Sequence, residues 1–141
     1  MWINEYSFEI NASETDIWKL LIDVENWKEW VGGVEYSTIN GIFENGASGT
    51  TKNINGPKST FCLKNVIVNK SFTIQLKLPF CTIEFPHEII NENRCLKVKL
   101  GVKLYGPLTF IFKKLIGEKA AKGLPVAAKK LVKLVENEIK S

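Results

Sequence analysis

The chain holds one histidine, His87, and it stands in a run where Ile83, Phe85, His87 and Ile89 share one parity. A period of two places all four on the same, apolar face of a β-strand. An imidazole there could polarise the carbonyl of a bound molecule or act as a general base, with Tyr36 or Tyr105 as further proton-handling groups. The competing readings are a hydrogen-bonded histidine within an apolar wall, or one turned outward because Pro86 shifts the register. Asp23 and Glu25 lie beside Trp27 and Trp30, and Glu84 and Glu88 alternate with the inward residues, so these acids read as solvated carboxylates. A single histidine excludes a multi-histidine metal site. Cys62, Cys81 and Cys95 are odd in number and form no close-spaced pair, which fits neither a disulfide framework nor a zinc ribbon and points to reduced core thiols. Gly-x-Ser-x-Gly, His-Glu-x-x-His, Cys-x-x-Cys and phosphate-binding glycine loops are all missing from the sequence. Neither a metal nor a cofactor is expected.

At 141 residues and 45% hydrophobic, the chain has room for one core and one domain over 1–141. The net charge of +4 is concentrated late, in Lys113, Lys114, Lys119, Lys122, Lys129, Lys130, Lys133 and Lys140. Nucleic acid is not an expected partner, because phosphate recognition recruits arginine and the chain has only Arg94. A docking role for this lysine-rich segment on an acidic or membrane surface is a separate reading. The first residues lack a basic region followed by an apolar run, and no stretch reaches the roughly 18 apolar residues of a membrane span. The expectation is a cytoplasmic monomer with no stable membrane insertion.

These residues must be positioned by a sheet. Tyr6, Phe8 and Ile10 alternate with polar neighbours, giving a first strand over 6–10. Ser13, with Glu14 and Asp16 behind it, has the form of a helix N-cap with acids in the first turn. Val24, Trp27 and Trp30 mark a second short helix, stopped at Gly32-Gly33. Six more extended segments follow at about 34–40, 48–55, 58–68, 70–78, 81–91 and 94–104, separated by turn residues such as Asn40-Gly41, Asn45-Gly46 and Asn55-Gly56-Pro57. Phe72, Ile74, Leu76 and Leu78 form one oily face, as do Leu96, Val98, Leu100, Val102 and Leu104. Only the tail from about Pro107 to Lys140 is long enough to cover them. Leu108, Ile111, Phe112, Leu115, Ala120, Leu124, Ala127, Leu131, Leu134, Val135 and Ile139 recur at helical spacing, and Gly117, Gly123 and Pro125 predict a hinge at 117–125.

The order strand, two short helices, six strands and a closing helix resembles the START-like superfamily, also called SRPBCC or Bet v 1-like. The segment from Ile10 to Asp23, followed by Trp27 and Trp30, is similar to the opening of its polyketide cyclase/dehydrase and lipid-transport family. Gly106-Pro107-Leu108 and Gly123-Leu124-Pro125 resemble the close of many bacterial members. The resemblance implies an α+β helix-grip fold, in which a curved seven-stranded antiparallel sheet wraps a long C-terminal helix around an apolar cavity. It also implies binding or carriage of a small hydrophobic molecule that is lipid-like, aromatic or polyketide-like. Some members are cyclases, dehydratases or hydrolases, a reading that would recruit His87. In such a fold, strand parity assigns the cavity walls to Phe8, Tyr36, Phe72, Ile74, Leu76, Phe85, His87, Val98 and Leu100, and the sheet-facing stripe of the last helix adds Phe112 and Leu115.

Overall fold

The computed structural model describes residues 1–93 and 95–140, with side chains through Asn137. Arg94, and the side chain of Ile139 assigned to the apolar stripe of the last helix, lie outside the described residues. Seven strands, β1 (Trp2–Glu9), β2 (Val34–Asn40), β3 (Ser48–Asn53), β4 (Lys58–Ile67), β5 (Ser71–Leu78), β6 (Cys81–Glu92) and β7 (Cys95–Tyr105), form one sheet. Its order is β1-β7-β6-β5-β4-β3-β2, antiparallel throughout. Strands β2 to β7 are a meander, and β1 joins the far edge beside β7. Helix α1 (Glu14–Leu21) and a 3-10 helix (Val24–Glu29) lie between β1 and β2, and a long helical segment closes the chain. This is the α+β helix-grip architecture. Strand β1 starts at Trp2 rather than Tyr6, because its ladder with β7 runs from Trp2 opposite Leu104 to Glu9 opposite Lys97 and holds the polar Asn4 and Glu5 extended.

The Ser13 hydroxyl accepts the Asp16 amide at 3.1 Å and caps α1. Ile17, Trp18, Leu20 and Leu21 on one side of α1, with Val24 and Trp27 of the 3-10 helix, are buried. The Trp27 indole donates to the Leu21 carbonyl at 2.9 Å and its ring lies 5.2 Å from that of Phe61 on β4. The buried Ser37 hydroxyl of β2 donates to the Val24 carbonyl at 2.6 Å. The 3-10 helix is thereby fixed over the β2–β4 end of the sheet, and Trp27 ties it to the end of α1. Phe61 in turn requires Gly49 opposite it on β3, where any Cβ would collide with the Phe61 ring and the Thr38 carbonyl.

The closing segment comprises α2 (Thr109–Phe112), a π-helical turn (Lys113–Gly117) and α3 (Glu118–Lys140). The hinge predicted at 117–125 is therefore displaced: α3 continues through Gly123 and Pro125, and the irregularity lies at 113–117. Two causes are visible. Leu124, Ala127, Ala128, Leu131 and Val135 are all buried, and that burial holds α3 continuous despite the hydrogen bond Pro125 removes. At Gly117 a Cβ would sit 2.7 Å from the Trp2 ring and 2.9 Å from Leu104, so close approach to β1 and β7 is what the backbone accommodates there.

The outer face of the sheet carries cross-strand ion pairs, with Lys99 between Glu5 at 3.4 Å and Glu88 at 3.5 Å. Partial burial pushes the Lys99 ammonium down, but the two carboxylates outweigh it and hold the pKa above its usual value. Gly49→Ala is expected to destabilise the protein by about 1–3 kcal/mol through overpacking. Gly123 has open space around it in an exposed helical position, so Gly123→Ala is expected to stabilise by roughly 0.5–1 kcal/mol. Urea unfolding midpoints of the two variants should move in opposite directions.

Candidate functional site

Register decides which side chains share the inner face. Phe72, Ile74 and Leu76 of β5 lie opposite His87, Phe85 and Ile83 of β6. His87 and Ile89 lie opposite Leu100 and Val98 of β7, whose Leu104, Val102, Leu100 and Val98 face Trp2, Asn4, Tyr6 and Phe8 of β1. Residues directly opposite in an antiparallel pair project to the same side, so Pro86 leaves the register intact and His87 points inward. Phe72, His87, Val98 and Leu100 are buried. Phe8, Ile74, Leu76, Phe85 and Phe112 pack against the core but stay half-buried. Strand β5 is the central strand of the sheet, so Ile74 and Leu76 are accessible only because their inner side is incompletely covered. The closest approaches of α3 to the sheet are on β1 and β7.

Three expectations need correction. Tyr36 is on the outer face: a bulge between Val34 and Tyr36 shifts the register, and Ser37 and Ile39 take the inward places. Leu115 is 65% exposed, because the π-helical turn gives the inward position to Ile116. Tyr105 follows the inward Leu104, so it too is on the outer face and is not brought to His87. Its hydroxyl donates to Glu84 at 3.0 Å and accepts from the Gln75 amide at 3.1 Å. Burial first, then Glu84, raises its pKa, which keeps the phenol neutral.

His87 sits in an aromatic cluster. Its ring stacks on Phe72 at 4.3 Å and 10°, and Trp30 meets it edge-on at 6.2 Å. Trp18 contacts Phe72 at 5.7 Å, and Phe43, from the β2–β3 loop, contacts both. The three tryptophans Trp18, Trp27 and Trp30 are thus core residues. Phe43 was not legible as a member; its one signal is an apolar Ile42-Phe43 pair inside a loop bounded by Gly41 and Gly46. The His87 Nδ1 lies 2.8 Å from the Phe85 carbonyl. A carbonyl only accepts, so the proton is on Nδ1 and Nε2 keeps its lone pair. Burial drives the pKa from 6.5 to about 4, opposed by that hydrogen bond, and the imidazole is neutral near pH 7. The Trp30 Nε1–H beside it is buried without a hydrogen-bond partner among the described residues.

Two clefts flank α3. One, of about 400 Å³, has Phe8, Ala128 and Val132 as its apolar lining and Lys129, Lys130 and Lys133 at its rim. The other, of about 330 Å³, mixes Ile10, Leu96 and Val132 with Glu9, Asn11, Cys95 and Glu136. Cys81 is buried and Cys62 and Cys95 are half-buried, all as free thiols. Among the described residues no three His, Cys, Asp or Glu side chains cluster in a way that could hold a metal ion, and no helix is long and apolar enough to cross a membrane.

A seven-stranded antiparallel sheet that grips a long C-terminal helix defines a fold of the START-like, Bet v 1/SRPBCC type. Solved structures agree over almost the whole chain. Norcoclaurine synthase from Thalictrum flavum, in complex with dopamine and hydroxybenzaldehyde, superposes with a TM-score of 0.71 at 15% identity, covering 96% of this chain and 87% of that one. A Nitrosomonas europaea protein gives 0.74 at 16%, covering 96% and 95%. The Bet v 1-like allergen Ara h 8.0201 gives 0.68 at 11%, covering 96% and 98%. At these identities the likeness is one of fold. No family model and no curated protein matches the sequence.

The buried imidazole makes stability depend on acid. Above pH 6.5 both folded and unfolded chains carry His87 neutral; between 6.5 and about 4 only the unfolded chain takes up the proton. Stability should therefore fall with pH through that window by roughly 3 kcal/mol and level off below it as far as this group is concerned. His87→Gln, compared with the parent by urea unfolding at a series of pH values, should lose this component; equal pH slopes would refute it.

Proposed function

We propose that the protein binds or carries a small apolar molecule, lipid-like, aromatic or polyketide-like, against the inner face of its sheet. The observation that carries this reading is the half-burial of Ile74, Leu76 and Phe85 on the two strands at the sheet's centre. Apolar groups kept partly wet at the middle of a fold cost stability, and an apolar ligand removes that cost by covering them. The Phe72–His87–Trp30 cluster is the adjoining inner end of the same two strands. It adds polarity only through a neutral imidazole and one indole N–H. That balance favours a mostly apolar molecule with at most a hydroxyl or carbonyl at one end. The small aromatic molecules in the norcoclaurine synthase structure support the same size class.

Leu76→Trp extends a large ring over the open face while keeping the residue apolar. If it displaces about 55 Å² of ligand contact at roughly 25 cal/mol per Å², affinity should drop about tenfold. Titration with a fluorescent fatty-acid analogue and with an aromatic naphthalene probe measures this. A correctly folded parent that binds neither overturns the reading.

A further inference from the structure

At one end of the sheet the protein exposes apolar side chains that folding does not explain. Strand β5 turns into β6 through Pro79 and Phe80 alone, since Leu78 pairs with Cys81. Phe80 takes a φ of 57°, a conformation suited to Gly or Asn at this place in a turn, and its side chain is 73% exposed. A bulky aromatic ring here adds backbone strain and returns no packing. Its backbone carbonyl accepts the Leu108 amide at 3.1 Å, which places the hairpin tip against the start of α2. On that helix and the π-helical turn after it, Phe110 is 67%, Ile111 40% and Leu115 65% exposed. The surroundings are basic: Lys77, Lys114, Lys119 and Lys122 are exposed and Lys113 half-buried. From Tyr105 to Lys122 the sequence has one acid, Glu118, against Lys113, Lys114, Lys119 and Lys122. The ion pairs of the described residues use Lys52, Lys97 and Lys99, none of these five.

We propose that this end docks on an anionic lipid bilayer, with Phe80, Phe110 and Leu115 entering the headgroup region and the surrounding lysines pairing with lipid phosphates. Exposed rings on a hairpin tip and a neighbouring helical turn, ringed by lysines that outnumber the one acid, have the composition of an interfacial anchor. A protein partner with an acidic rim would satisfy the charge, but it gives no reason to hold a phenylalanine in a strained turn pointing into water; a bilayer interface takes up any such ring. Docking is peripheral, because no described helix is long and apolar enough to span. The proposal stands apart from the ligand reading, since its residues are exposed and outside the inner face.

Co-sedimentation with phosphatidylcholine vesicles, with and without phosphatidylglycerol, at low and high salt, tests it. The parent should bind the anionic vesicles, release at high salt and ignore the neutral ones. Each lysine near the surface is worth about fivefold in partitioning, so Lys113→Gln with Lys114→Gln should weaken binding roughly 25-fold. Phe110→Ser with Leu115→Ser should weaken it with the net charge unchanged. Lys129→Gln with Lys130→Gln removes the same charge farther along the closing segment, on α3, and should have a much smaller effect. Circular dichroism confirms that each variant is folded, as exposed substitutions allow. Binding indifferent to lipid charge, indifferent to Phe110 and Leu115, or equally reduced by the Lys129 and Lys130 pair, overturns the proposal. So does a dimer, seen by analytical ultracentrifugation, that forms through Phe110 and Leu115 while anionic vesicles go unbound.

Discussion

Seven strands at the usual spacing of about 4.8 Å make a sheet roughly 29 Å across, while a helix with its side chains is only about 10–12 Å wide. One helix therefore covers less than half of the apolar face that this sheet presents, and the remainder of the structure is a response to that mismatch. Helix α3 takes the β1–β7 side. The 3-10 helix takes the β2–β4 side, anchored through Trp27 on Phe61 and Ser37 on the Val24 carbonyl, while Trp18 of α1 reaches Phe72 on β5. Between the two covers lie β5 and β6. The aromatic stack of Phe72, His87 and Trp30 closes one end of that strip, and Ile74, Leu76 and Phe85 are left half-buried in the remainder.

Much of this was legible in the residues. Alternation from Phe72 to Leu78 and from Ile83 to Ile89 gave both strands and their faces, since a period of two survives wherever one face is buried and the ladder is regular. Parity failed at Tyr36, where a bulge inserts a residue and swaps the faces of the strand. Nothing in Val34-Glu35-Tyr36 announces that bulge; it follows from where the 3-10 helix needs Ser37. Helical spacing failed at Leu115 for a comparable reason, because a π-helical turn is one residue longer than the repeat the pattern assumes. The local propensities of Gly123 and Pro125 argued for a break that the burial of Leu124, Leu131 and Val135 overrides. Contacts between distant segments, such as Phe43 against Trp18 and Phe72, have no periodic signature and appear only once the chain is folded.

His87 shows how residue type and role part company. A lone histidine on an apolar strand has the chemistry of a base, yet here its ring does the work of a phenylalanine with one hydrogen bond to spare. Its Nδ1–H is committed to the Phe85 carbonyl, and the stack on Phe72 fixes the ring plane. The groups with which it could have shared a proton, Tyr36 and Tyr105, face the other side of the sheet. What remains at Nε2 is a single acceptor among the rings of Phe72 and Trp30.

The position of β5 has a further consequence. It is the strand with three neighbours on either side, hydrogen-bonded to β4 and β6 along both edges. Backbone order and partial side-chain access thus coincide on one element: the strand tied along both edges carries the half-buried Ile74 and Leu76. On the binding reading proposed above, a guest settling there would meet an already ordered surface and would forfeit little chain entropy on arrival.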